Sequence, residues 1–126
     1  MPPFRLSYSW IVQTKQQLGA SGEAQARWYL ENHGYTLIEA NYRTRFGEID
    51  LIMRDGATLV FVEVKTRRGT RQGYPEEAVT WFKLRHTIKA AEAYCTAQKY
   101  IGNWRIDVVA VTASRIRHTK NVTGCN

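Results

Sequence analysis

The sequence predicts one mixed α/β domain with helices packed on a mixed β-sheet, and three observations predict it. The apolar pattern runs helix, three strands, helix, strand. An Asp55-Gly56 pair separates two of those strands and reads as a tight hairpin turn. A long helical stretch then lies between the third strand and the fourth, as a crossover between parallel strands requires. A chain of 126 residues fits one domain of this kind.

The elements follow in order. Residues 1–13 read as an N-terminal arm. From Thr14 to Asn32 the pattern is helical, with Glu23, Ala26 and Leu30 on one stripe, and Gly34 is a helix stop. Tyr35 to Arg43, Glu48 to Arg54 and Thr58 to Thr66 read as strands, the third strongly apolar. Residues 67–75 form a basic, glycine-containing loop. Glu76 to Gln98 is a long helix whose Trp81, Leu84, Ile88, Ala91 and Cys95 recur at helical spacing and face the core. Gly102-Asn103 breaks the chain before a Val-rich strand, Trp104 to Thr112. The domain is thus expected over 14–112, with 113–126 as a basic tail.

Composition narrows the function classes. Hydrophobic residues make up 44% and charged residues 23%, which excludes a disordered or fibrous chain. No apolar run approaches the length of a membrane span, and the first residues lack the apolar stretch of a signal peptide, so a soluble, cytoplasmic protein is expected. Cys95 and Cys125 have no ligand spacing for zinc and fit a reducing compartment. The net charge of +7 is uneven: residues 1–63 hold six basic and seven acidic side chains, residues 64–126 twelve and four. Such an excess in one half points to a polyanionic partner, nucleic acid above all, or else to a basic surface that only keeps the chain soluble.

The acids of the second and third strands carry the chemistry. By strict alternation Glu48, Asp50 and Ile52 share one face, as do Leu59, Phe61, Glu63 and Lys65. A two-residue Asp55-Gly56 loop sets Arg54 opposite Ala57, Asp50 opposite Phe61 and Glu48 opposite Glu63. Asp50 and Glu63 then become diagonal neighbours on one face. An isolated Glu-x-Lys on a strand reads as a weak surface pair. Carboxylates gathered on a half-buried face repel one another, and a hard divalent cation with oxygen ligands offsets that repulsion. Glu23, on the buried stripe of the first helix, should border the same sheet.

Gly22-Glu23, Ala26, Tyr29-Leu30, Gly34-Tyr35, Asn41-Tyr42-Arg43, Gly47-Glu48-Ile49-Asp50-Leu51-Ile52, Phe61-Val62-Glu63-Val64-Lys65-Thr66-Arg67, Lys83 and Arg105-Ile106-Asp107-Val108-Val109 resemble the YraN-like family of small bacterial endonuclease-like proteins. That family in turn resembles the PD-(D/E)xK nuclease superfamily, which includes archaeal Holliday-junction resolvases. The resemblance implies a restriction-endonuclease-like αβββαβ core. It implies Glu23, Asp50, Glu63 and Lys65 as catalytic residues. Ile49 stands where the superfamily usually has a proline.

The resemblance also implies Mg2+ or Mn2+, held by Asp50, Glu63, the backbone carbonyl of Val64 and Glu23. Lys65, expected to stay charged amid carboxylates, orients water or offsets charge on the phosphate. Arg67, Arg68, Arg71 and Lys83 are the expected phosphate contacts. A metal-dependent endonuclease acting on branched or junction DNA, working as a homodimer, is the function implied. A non-catalytic nucleic-acid-binding module that keeps the fold is the alternative. Arg105 and Asp107 read as a structural pair, Trp28, Trp81 and Trp104 as core, and His33, His86 and His118 receive no role.

Overall fold

The computed structural model describes residues 18–66, 81–113 and 115–123. Helix α1 (Leu18–Asn32) leads into strands β1 (Thr36–Thr44), β2 (Gly47–Asp55) and β3 (Thr58–Thr66). Helix α2 (Trp81–Gln98) follows, then β4 (Trp104–Val111) and β5 (Ile116–Thr119). The expected arm, the 67–75 loop and the first turn of the expected long helix lie outside the described residues.

Among the described residues, five strands form one sheet in the order β1-β2-β3-β4-β5. Its first three strands are an antiparallel meander, β4 joins β3 in parallel, and β5 returns antiparallel to β4. The mixed sheet expected from the element order is present. The segment read as a tail adds a strand that the sequence pattern does not show, because Ile116–Thr119 is only four residues long and alternates between half-buried and exposed positions.

Helices α1 and α2 cover opposite faces of the sheet. Ala26 and Leu30 of α1 pack with Tyr35, Leu51, Met53, Val60, Val62, Val109 and Val111. Ala90, Ala91, Tyr94 and Cys95 of α2 pack with Ile52, Leu59, Phe61 and Ile106. Alternation along β3 and β4 accounts for this division. Trp104 packs against the second cluster, with its ring 5.6 Å from that of Phe61.

Helix ends are fixed by local geometry. Gly34 has φ 92°, and the N–H groups of Gly34 and Tyr35 donate back to Glu31 and Leu30 carbonyls at 3.2 and 3.0 Å, a Schellman closure. The stop of α2 lies at Lys99 (φ 55°), where Tyr100 N–H donates to the Cys95 carbonyl at 2.8 Å. That end precedes the expected Gly102-Asn103 break.

The hairpin between β2 and β3 differs from the expected one. Its loop is Gly56-Ala57, flanked by the pair Asp55↔Thr58, and Gly56 alone of the two takes a positive φ (60°). Glycine at the first loop position suits a type II′ turn. Arg54 therefore opposes Leu59, and Ile52 opposes Phe61. The register moves by two residues, an even shift that keeps the residues of the paired stretch, 51–55 and 58–62, on their expected faces.

Candidate active site

The sheet opens where β2 and β3 part. Their pairing ends at Leu51↔Val62. The same register carried one residue further sets Asp50 against Glu63, not against Phe61, and leaves Glu48 without Glu63 as partner. At this point the Asp50 carboxylate replaces a ladder bond: Val64 N–H donates to Asp50 Oδ2 at 2.8 Å. A strand residue sends its N–H and C=O toward the same neighbour, so the Val64 carbonyl faces this opening too.

A second irregularity turns Asp50 into the opening. Leu51 packs on the α1 side, yet Ile49 packs on the α2 side beside Tyr42, its partner on β1. The alternation inverts between those pairs, at Asn41 and Asp50. Asn41 has φ 54°, a left-handed conformation that asparagine tolerates better than most residues. Strict alternation would have placed Glu48, Asp50 and Ile52 on one face; the inversion breaks that set. Asn41 is thus a positioning residue that sequence spacing alone does not single out. Its side chain also donates to Glu23 Oε1 at 3.2 Å.

Glu23 approaches from α1. Gly22 lets it do so, since a β-carbon there would collide with Thr66 Oγ1 at the end of β3. Glu63 points to the α2 side. Its Oε2 lies 3.2 Å from Lys65 Nζ and 3.3 Å from Lys83 Nζ of α2. Glu63 and Lys65 are only 14% and 15% exposed, so this is not the surface pair of an isolated Glu-x-Lys. Glu48 is exposed and meets Arg43 at 3.6 Å.

Electrostatics mark Asp50. Burial, followed by the charges of Glu63, Glu23 and Glu48, pushes its carboxyl up from 3.8 to about 7, against the Val64 N–H that favours the anion. Burial and the neighbouring Lys83 push Lys65 down, with Glu63 opposing. Lys83 moves up through its hydrogen bond to Lys65 and through Glu63.

The expected residues therefore converge in part. Asp50, Glu63, Val64 and Lys65 meet at the opening, Glu23 reaches it from the other face, and Lys83 closes over Glu63. Arg67, Arg68 and Arg71 lie outside the described residues. Among the described residues, no three His, Cys, Asp or Glu side chains form a ready-made group for a metal ion. Asp50, Glu63 and the Val64 carbonyl still fit a hard cation by donor type, and Glu63, Glu23 and Glu48 add to the effect of burial in raising the Asp50 carboxyl. A cleft of about 230 Å³ opens onto Glu63, lined also by Phe46, Glu48, Lys83, His86 and Thr87.

A separate polar cluster sits on the α1 side. Asp107 is fully buried and accepts hydrogen bonds from Arg105 Nε (2.9 Å), His118 Nε2 (2.7 Å), Asn121 N–H (3.0 Å) and the Tyr35 hydroxyl (3.3 Å). Arg105 also reaches Asp55 at 3.0 Å. The structural reading of Arg105 and Asp107 holds. His118, given no role from sequence, completes the cluster from β5; a strand of only four residues left no signal for it.

No helix among the described residues is long and apolar enough to cross a membrane. Residues 22–111 match a family described as uncharacterised protein family UPF0102. A UPF0102 protein of Persephonella marina is 41% identical over 115 residues, covering 90% of this chain and 94% of the relative. One from Geobacter sulfurreducens is 49% identical, covering 82% and 86%. One from Chlorobium chlorochromatii is 46% identical, covering 82% and 81%.

Proposed function

The chain belongs to UPF0102, an uncharacterised protein family, and on that premise we propose that it is a metal-dependent endonuclease hydrolysing phosphodiester bonds in DNA. The core is read as restriction-endonuclease-like, of the PD-(D/E)xK type. The order α1-β1-β2-β3-α2-β4 and the acids at the β2–β3 opening support that reading. One observation carries it: Asp50 is held half-buried at the opening, on the Val64 N–H and beside Glu63, where burial first and the charges of Glu63, Glu23 and Glu48 after it raise its carboxyl to about 7. An enzyme that binds a divalent cation there gains from such an arrangement; a structural pair would not.

Asp50, Glu63 and the Val64 carbonyl would hold Mg2+ or Mn2+, with Glu23 reaching the same shell. A cation held there would supply Lewis-acid chemistry, making water a better nucleophile and offsetting charge on the scissile phosphate. Lys65, fixed beside Glu63, orients the attacking water. Lys83, more exposed and on the rim, meets the phosphate backbone. Asn41 holds Glu23 in place. Branched or junction DNA is the substrate structure that the family resemblance implies.

A second reading is a nucleic-acid-binding module without catalysis. The observation favouring it is that Lys65 and Lys83 already share Glu63 Oε2, which saturates the oxygen a metal would take. Cleavage of duplex, flap, single-stranded and four-way-junction DNA with Mg2+ or Mn2+ separates the two. The nuclease reading expects cutting of at least one substrate, reduced to below about a hundredth in Asp50→Ala and Glu63→Ala. Parent protein that binds but cuts none of them would leave the module.

A further inference from the structure

Beside the acidic opening lies a surface whose chemistry is different. Phe46 sits in the two-residue turn between β1 and β2. Its N–H donates to the Thr44 hydroxyl at 3.0 Å, and that hydroxyl donates to the Gly47 carbonyl at 2.9 Å. The turn is braced, so the ring is held rather than loose. Two cations flank it: the Arg45 guanidinium lies 4.9 Å and Lys89 Nζ 5.8 Å from the ring centroid.

Across the cleft, α2 presents Phe82, His86 and Lys89 at helical spacings of four and three, on one side of the helix. Phe82 is 68% exposed, and its ring lies 4.9 Å from that of His86. Arg85 joins the same surface, lining a hollow with Phe82, His86 and Lys89. His86 lines both this hollow and the cleft that ends at Glu63. The path therefore runs from the acidic opening past Lys83 and His86 to Phe46, Lys89 and Phe82.

Phe82 is exposed among cations, which is costly unless something covers it, and Phe46, half-buried against the α2-side cluster, leaves part of its ring open beside it. Duplex DNA offers phosphates but keeps its base faces stacked. A single strand offers both phosphates for the cations and open base faces for the rings. We infer that this cleft binds a single-stranded stretch of nucleic acid, with unstacked bases against Phe46 and Phe82 and phosphates on Arg45, Lys83, Arg85 and Lys89. The inference deepens the nuclease reading, on which it rests: the strand next to the cut bond is unpaired. It places the α2 surface, rather than only the basic loop, in substrate binding.

The test is fluorescence anisotropy in EDTA with labelled oligo(dT) and a blunt duplex of equal length, at matched salt. The parent should hold oligo(dT) roughly tenfold more tightly than the duplex. Phe46→Ala and Phe82→Ala should each erase most of that preference with little change in salt slope. Lys89→Ala should lower the slope by about 0.7. Phe82 and Lys89 are exposed, so their variants keep the fold; Phe46 is half-buried against the core, so circular dichroism checks that variant, and Phe82→Ala carries the test if it misfolds. Equal affinity for both probes, or unchanged binding in both phenylalanine variants, overturns the inference. So does failure to bind either probe, which would make the surface a contact for an acidic protein. Binding is read without divalent cation, so the two readings fail separately. A parent that prefers oligo(dT) but cuts nothing loses only the nuclease reading. One that cuts with no single-strand preference loses only this one.

Discussion

Glu63 on β3 and Lys83 on α2 lie 3.3 Å apart, and the same Glu63 oxygen meets Lys65 at 3.2 Å. One carboxylate therefore ties the crossover helix to the strand that carries the proposed chemistry. Glu63→Gln leaves two ammonium groups side by side without their counter-charge. Breaking a buried pair costs about 3–5 kcal/mol. Lys83 is 46% exposed, so solvent screening lowers the expected loss to about 1–2 kcal/mol. Urea unfolding measures it, and cleavage should vanish in the same variant. A variant of parental stability would mean that the two pairs contribute nothing net.

Asp50 gives a pH dependence of opposite kind to an ordinary acid. Its folded-state value is raised to about 7 from 3.8. The contribution to stability is then full below the unfolded value and is lost as pH rises through about 7. In metal-free buffer, the Tm of the parent should fall between pH 4 and 7 relative to Asp50→Asn, which keeps an acceptor for Val64 N–H. Mg2+ at pH 8 should raise the Tm of the parent by roughly 5 °C and leave Asp50→Asn unmoved. A flat difference between the two proteins across that range would contradict a carboxyl raised by burial and by its acidic neighbours.

Asp107 shows the opposite sign. Hydrogen bonds from His118, Arg105 and Asn121 hold its carboxyl below the usual range, overcoming the upward push of burial. The stability it supplies is present above about pH 3.9 and disappears as pH falls through its lower folded value. Asp107→Asn should cost about 3 kcal/mol at neutral pH, because Arg105 loses its buried partner. It should also flatten the acid limb of the unfolding curve. Metal response should be unchanged, since this cluster stands apart from the opening.

The approach of α1 to β3 depends on Gly22. Gly22→Ala should destabilise by about 1–3 kcal/mol through collision with Thr66. Thr66→Ala in the same chain should recover part of that loss, and a double-mutant cycle by denaturant unfolding reads the coupling. Additive effects would show that the two residues do not meet.

Much of the site was legible because strand alternation tolerates an even error. The hairpin loop is Gly56-Ala57 rather than Asp55-Gly56, yet a shift of two residues kept Glu63 and Lys65 on the α2 side. The shifted register also sets Asp50 against Glu63, but its turn into the opening has another source. The inversion at Asn41 depends on one backbone angle, and no periodicity encodes it. The α1 stripe of Ala26 and Leu30 was plain, being fully buried at helical spacing. β5 and His118 were not, since a four-residue strand is too short for a pattern. The aromatic surface of α2 escaped because Phe82 and His86 interleave with the buried positions that define the helix.

The chain divides the charges of the opening between two parts of the fold. Glu23, Asp50, Glu63 and Lys65 all precede residue 67, while Lys83 belongs to α2. Without α2 the acids would hold one ammonium among them; with it, Glu63 gains a second. Seating the helix thus couples charge balance at the opening to the apolar contacts of Ala90, Ala91 and Tyr94.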